Sequence, residues 1–240
     1  MSDWKKRHGE VIVSFVKYLN VKTNDFILKG GTALSLCYCL DRFSMDIDLD
    51  GRVKGLVALV EGFCAENGYS YRVAKDTATV ERCFIDYGNK GRPLKVEVSY
   101  RRKTIPTEET VVVDGITVYS IEPLCVMKTN AYAGRDKIRD LHDVAFICNN
   151  YFDQLSTQTI ALLRGAVEHK GIAQFDYVVR NQPDELIDID KLAEDFLKMY
   201  DRLGLLLDEN EHELLRNGAV PDGHYDQEDD DGEWEQLEMP

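Results

Sequence analysis

No stretch of the chain approaches the roughly 20 apolar residues that span a bilayer, and the opening MSDWKKRHGE has no apolar segment of the kind a secretion signal carries. The expectation is a cytoplasmic protein with no membrane partner. Cysteine never occurs as C-x-x-C or with a histidine at ligand spacing, which argues against a structural zinc site. Cys37, Cys39, Cys64, Cys83, Cys125 and Cys148 lie among apolar neighbours and are expected to be reduced core residues. The histidines His8, His142, His169, His212 and His224 are scattered, with no triad or metal spacing. No internal repeat marks a solenoid.

Charge is short of positive residues overall, with a net of −14, but the deficit is uneven. Between Asp222 and Pro240 there are nine acidic residues and no Lys or Arg, so the rest of the chain carries 29 basic against 34 acidic side chains. That balance is ordinary, so the total charge does not exclude a polyanionic substrate. Residues beyond Val220 are expected to form an acidic, disordered tail with Trp234 as its large apolar anchor. The remaining chain, with 44% hydrophobic content overall, is long enough to bury a real core.

Apolar periodicity predicts helices over about 10–19, 57–64, 121–133, 135–147, 155–167 and 189–207. Strands are expected at 26–29, 46–49, 69–73, 79–87, 94–100 and 116–119. Gly88-Asn-Lys-Gly91 reads as a hairpin connection, making the pair around it antiparallel, and Asn67-Gly68 reads as a helix C-cap. Ser120 is a candidate N-cap for the helix that carries Glu122 and Pro123 in its first turn. This pattern gives an α+β fold, a mixed sheet flanked by helices and followed by a helical C-terminal region. The expected division is a core over 1–120, helices completing the cleft over 121–220, and the tail over 221–240.

One stretch organises the chemistry. Ile27-Leu-Lys-Gly-Gly-Thr-Ala-Leu34 places Gly30 and Gly31 in a turn before a helix opened by Thr32, whose free N–H groups can hold an anion. Arg42-Phe-Ser-Met-Asp-Ile-Asp-Leu49 then puts Asp46 and Asp48 on one strand face, about 7 Å apart, where they can share a divalent cation. Glu97, in Lys95-Val-Glu-Val98, either joins these aspartates as a third carboxylate or belongs to a solvated strand face. Lys29 either reaches a phosphate or ends its strand. Asp140 and Asp143, three apart on one helix face, either orient Lys128, Arg139 or a base, or pair locally at the helix start.

Lys29-Gly-Gly-Thr-Ala-Leu34, Arg42-x-Ser44-x-Asp46-x-Asp48, Glu97 on its Lys-Val-Glu-Val strand, and Lys128 ahead of Arg139-Asp140-x-x-Asp143 together resemble the AbiEii/AbiGii nucleotidyltransferase toxins, within the DNA polymerase β type superfamily. The likeness runs from about Phe26 to Ile147. It implies the nucleotidyltransferase fold and a nucleoside triphosphate whose phosphates rest on Gly31 and Thr32. It also implies two Mg²⁺ ions, with Mn²⁺ the alternative, held by Asp46 and Asp48, a third carboxylate at Glu97, and Lys128 at the triphosphate. Arg42 and Ser44 match the pattern upstream of the aspartates, and Lys29, Gly30, Asp140 and Asp143 are carried over as nucleotide-side candidates. The turn has Gly-Thr where many of the wider superfamily have Gly-Ser, which keeps the hydroxyl.

The implied activity is transfer of a nucleoside monophosphate to a hydroxyl, with a tRNA or other RNA end as acceptor and an antitoxin protein as partner. A basic segment, Lys90, Arg92, Lys95, Arg101, Arg102 and Lys103, is either an RNA-backbone surface or a solvated loop. Two other readings stand beside this one: the same chemistry on a small-molecule or protein acceptor, and a non-catalytic binding module. No spacing in the chain selects the base.

Overall fold

The computed structural model describes residues 3–89 and 91–206, and those up to Leu205 form one compact unit. The expected acidic tail, and Lys90 of the basic segment, lie outside the described residues. In chain order the elements are α1 (Asp3–Lys22), β1 (Phe26–Lys29), α2 (Gly30–Cys37), β2 (Asp46–Gly51), α3 (Leu56–Asn67), β3 (Ser70–Asp76), β4 (Val80–Asp86), β5 (Leu94–Ser99), β6 (Thr110–Val113), β7 (Ile116–Tyr119), α4 (Ile121–Gly134), α5 (Ile138–Tyr151), α6 (Thr157–Lys170), α7 (Ala173–Asn181) and α8 (Ile189–Arg202).

The strands make one mixed sheet in the order β3-β4-β5-β2-β1-β7-β6. β2 is its centre, antiparallel to β1 and parallel to β5, while β1 runs parallel to β7. The hairpin expected around Gly88 to Gly91 joins β4 and β5, which pair antiparallel. Alternation along β2 and β5 sends Ile47, Leu49, Val96 and Val98 into the core and leaves Asp46, Asp48, Lys95 and Glu97 on the opposite face. The core face is covered by α1 and α3, which bring Phe15, Val16, Val60 and Phe63 against it, and Phe15 meets Phe63 edge to face at 5.1 Å.

Several local expectations change. α1 starts a full two turns earlier than its apolar periodicity, so Trp4 and His8 are helical. β6 and α7 have no counterpart among the expected elements, since Thr110–Val113 is a short edge strand with two exposed positions and α7 is nine residues long. Cys64, Cys83, Cys125 and Cys148 are buried, but Cys37 is half-buried and Cys39 is exposed at a left-handed backbone position (φ 59°). Those two are corrections to the expected core set: α2 ends at Cys37, so Cys39 falls in the turn beyond it. Ser120 does occupy the N-cap of α4 but its side chain makes no capping bond. Glu122 instead reaches across to the start of α6, accepting from the Ser156 N–H at 2.9 Å and from the Thr159 hydroxyl at 2.6 Å.

Candidate active site

The glycine turn is built by close approach. Gly30 has φ 75°, a left-handed conformation that glycine adopts without steric cost, and a Cβ there would lie 3.1 Å from Asp48 Oδ2. A Cβ on Gly31 would meet Arg42 Nη2 at 2.8 Å and Ser44 Oγ at 3.1 Å. Both glycines therefore let the β1–α2 backbone sit against the residues expected to do chemistry. No side chain caps the N-terminus of α2, so the positive end of that helix is not closed by a side-chain acceptor.

Thr32 is buried and ties the turn to β2. Its hydroxyl donates to the Asp46 carbonyl and can accept from the Ser44 hydroxyl at 2.8 Å. The hydroxyl thus fixes α2 against the strand carrying the aspartates, and Ser44 is bonded to it. Lys29 turns to Asp50, Nζ to Oδ1 at 2.6 Å, and Tyr119 donates to the other oxygen of Asp50 at 2.9 Å. Asp50 continues the Asp46-x-Asp48 alternation on the same face. Its signal was legible as a third alternating carboxylate, but it is buried and bonded on both oxygens.

Asp46 and Asp48 converge on one cation. Lys95 Nζ, from the parallel neighbour β5, lies 3.3 Å from Asp46 Oδ2 and 4.0 Å from Asp48 Oδ1. An ammonium between two carboxylates from one strand face shows that the pair can share one positive charge. Packing around the Asp48 carboxyl pushes its pKa up; Lys95 opposes that rise, and Asp46 and Glu97 add to it. The site therefore holds more negative charge than Lys95 neutralises. Asp48 nevertheless keeps 41% of its side chain exposed, so solvent and ligands reach it.

Glu97 sits directly opposite Asp48 in the β2–β5 register, but its carboxylate is bonded to the guanidinium of Arg82 on β4. Among the described residues, no three acidic, histidine or cysteine side chains gather as a metal site. Glu97 is thus a neighbour of the aspartates electrostatically while its oxygens face Arg82.

Behind the turn lies a second cluster. Asp143, on α5, accepts from Arg42 Nε and Nη2, both at 2.7 Å, and pairs with Lys128 Nζ of α4 at 2.6 Å. All three are buried or nearly so, with Lys128 12% exposed at the side chain. Burial opposes the Asp143 charge, but Lys128, the adjacent His142 ring and the Arg42 guanidinium overcome it and hold the carboxyl well below its ordinary range. Two cations on one anion leave net positive charge where Arg42 abuts Gly31. Asp140 does not touch Lys128; it takes Arg135 through Nε at 2.6 Å and Nη2 at 3.0 Å. Arg139 pairs with Asp184. Arg135 is largely exposed and lies within the field of Asp48 and Asp143, a cation next to the site that no motif or spacing in the sequence singles out.

The family model for the nucleotidyl transferase AbiEii toxin, type IV toxin–antitoxin system, matches residues 18–217. The chain belongs to the AbiEii family. Among solved structures, this AbiEii-family chain is similar to JHP933 from Helicobacter pylori, with TM-score 0.72 and 28% identity over 91% of this chain and 99% of that one. It is also similar to a provisionally assigned nucleotidyltransferase from H. pylori, with TM-score 0.70 and 26% identity over 85% and 97%. No curated protein matches it in sequence. The mixed sheet with its flanking helices is accordingly a nucleotidyltransferase fold, and the AbiEii-family chain is a nucleotidyltransferase. Among the described residues, no helix is long and apolar enough to cross a membrane.

Proposed function

We propose that this enzyme transfers a nucleoside monophosphate from a nucleoside triphosphate to the hydroxyl of an RNA end such as that of tRNA, releasing pyrophosphate, and that it acts as the toxin of a toxin–antitoxin pair held in check by a partner protein. The observation that carries the chemistry is the convergence of Asp46 and Asp48 on one cation directly beneath the Gly30 turn. Magnesium, held by these two carboxylates, supplies charge neutralisation of the phosphates and a lowered pKa for the attacking hydroxyl. The toxin role and the partner rest on the family description.

The protein's own groups account for the remaining tasks. The uncapped start of α2, with Gly31 free of a side chain, offers backbone N–H groups to phosphate oxygens. Arg42 and Lys128, fixed by Asp143, add fixed positive charge beside that turn, where negative charge accumulates on the leaving group. Thr32 and Ser44 keep the turn and β2 in register. Arg135, exposed and within the field of Asp48, reaches a phosphate only by leaving the Asp140 carboxylate. Glu97 accepts a proton from the acceptor hydroxyl only if it leaves Arg82, so its part is conditional on that pair opening.

The RNA acceptor is supported by the exposed Arg101 and Lys103 beyond β5. Two other members of the basic segment are committed elsewhere: Lys95 to the aspartates and Arg102 to Glu109. The test is incubation with each labelled triphosphate, Mg²⁺ and total RNA, comparing the wild type with Asp48→Asn. Label should enter RNA only with the wild type; equal transfer by both proteins sinks the assignment of the aspartates. Label found on protein or on a small acceptor instead of RNA would keep the chemistry and replace the acceptor.

A further inference from the structure

A cavity of 290 Å³ opens beside Asp46, lined by Trp4, His8, Met45, Asp46, Arg92 and Pro93. Its wall has one catalytic carboxylate, one tryptophan face and one guanidinium, and the rest is largely apolar. Small-molecule sites have this make-up, an apolar lining with a few placed polar groups.

Trp4 is held rather than loose. Its ring meets Phe43 edge to face at 5.9 Å and His8 at 6.3 Å, and His8 is itself anchored to the Met45 carbonyl at 2.7 Å and to the Tyr87 hydroxyl. The two residues that fix Trp4 thus connect it to the start of β2, one residue before Asp46. The Arg92 guanidinium lies over the Trp4 ring at 4.2 Å from its centroid. A planar, delocalised group therefore already rests on the indole, in the stacking position that a planar heterocycle takes.

The phosphate side of the site lies elsewhere. Gly30 packs on Asp48 and Gly31 on Arg42 and Ser44, whereas the cavity adjoins Asp46 and the chain entering β5. A nucleotide anchored through its phosphates near the turn, or an RNA end aimed at Asp46, has its base to place, and this cavity offers a flat aromatic wall. A base takes the stacking position by displacing Arg92 from the indole, and the released guanidinium can then move to a phosphate.

We propose that the Trp4–Arg92 cavity is a nucleobase-stacking subsite of the active centre. This rests on the reading of the enzyme as a nucleotidyltransferase acting through Asp46 and Asp48. The base belongs either to the incoming triphosphate or to the terminal nucleotide of the acceptor, and the two sources are separable by experiment.

Trp4 and Trp234 are the chain's two tryptophans, so Trp234→Phe leaves Trp4 as the sole indole reporter. Its emission is titrated with each ribonucleoside triphosphate and, separately, with a short single-stranded oligoribonucleotide, with correction for ligand absorbance. Saturable quenching by one of the two probes is expected, and that probe identifies the source of the base. Trp4→Leu should then raise the KM for the same substrate roughly tenfold with little change in kcat, and Trp4→Phe should recover most of the loss.

Absence of quenching by both probes overturns the proposal, as does a Trp4→Leu enzyme with both KM values unchanged. The quenching arm is read on native Trp4 and does not depend on the leucine variant folding. Asp48→Asn separates the subsite from the catalytic reading. If quenching persists in it while transfer is lost, the subsite and the catalytic reading both stand. If the wild type transfers no nucleotide to any acceptor yet quenches saturably, the catalytic reading falls and the stacking subsite remains.

Discussion

Asp48 packs directly on the glycine turn and Asp143 reaches it through Arg42, and their surroundings drive the two carboxylates in opposite directions. Asp143 is fully buried and answered by two cations, so its charge is held more firmly than in water. Asp48 is reachable from solvent, but the packing around its carboxyl, and then Asp46 and Glu97, disfavour its charge against Lys95 at 4.0 Å, so that charge is held less firmly. An over-answered carboxylate organises the fold. An under-answered one keeps affinity for a further cation.

The sharpest way to break that contrast is to remove each carboxylate in turn. Asp48→Asn should lower nucleotide transfer on the order of a thousandfold, as expected when a group that stabilises developing charge is lost. Its stability should be unchanged or slightly raised, because the native state disfavours the Asp48 charge. Asp143→Ala should do the reverse in kind: it strands Arg42 and Lys128 in the interior and should cost about 3–5 kcal/mol in urea unfolding. Equal stability loss in both variants would erase the distinction between a structural and a chemical carboxylate.

Acid makes the same comparison without mutation. The folded pKa of Asp143 is below its unfolded value, so the stability it contributes is complete above about pH 4 and disappears as pH falls through the depressed folded value. Asp143→Asn should therefore show a flatter acid side in a plot of unfolding free energy against pH. Asp48 has the opposite sign: its raised pKa means the native state is penalised above that pKa and relieved below the unfolded one. Lys95 is the group that limits this rise. Lys95→Met should move the Asp48 titration to higher pH in the metal-free protein, read by carbon NMR of the carboxyl. A shift to lower pH, or none, would mean that Lys95 does not answer the aspartates in solution.

Much of this was legible because strand alternation is a two-residue rule. Asp46 and Asp48 share a face by counting, and the hydrophobic partners Ile47 and Leu49 fix which face is buried. The Gly30-Gly31 turn was legible for a similar reason, since a left-handed position and a close approach both ask for glycine. What escaped the sequence is set by contacts between distant segments. Glu97 was placed on the right face, yet its pairing with Arg82 follows from the β4–β5 register rather than from spacing. Arg42 could be matched to a pattern, but its bond to Asp143 joins residues 101 apart. The start of α3 depends on a distant residue in the same way. Its cap comes from Glu81 on β4, whose carboxylate accepts from the Leu56 N–H at 2.8 Å, and no local capping signal precedes the helix. Trp4 lay ahead of the periodic part of α1, so its proximity to Asp46 had no sequence signature.

The smallest effect expected concerns the surface around the site rather than the two carboxylates. Arg101 and Lys103 are exposed just past β5, and neither takes part in the ion pairs that occupy Lys95 and Arg102. If an RNA backbone crosses this edge on its way to Asp46, Arg101→Glu combined with Lys103→Glu should weaken RNA binding. It should also reduce the dependence of log K on log salt by about 0.7 for each phosphate that is no longer neutralised. Binding of the triphosphate alone should not change, because the groups beside the turn are Arg42 and Lys128, which these substitutions leave untouched. Arg102 is the wrong residue for the experiment: reversing its charge also breaks the Glu109 pair and disturbs Tyr119 beneath it. An unchanged salt slope with Arg101 and Lys103 reversed would take the RNA path away from this edge and leave the Asp46–Asp48 chemistry without its proposed acceptor surface.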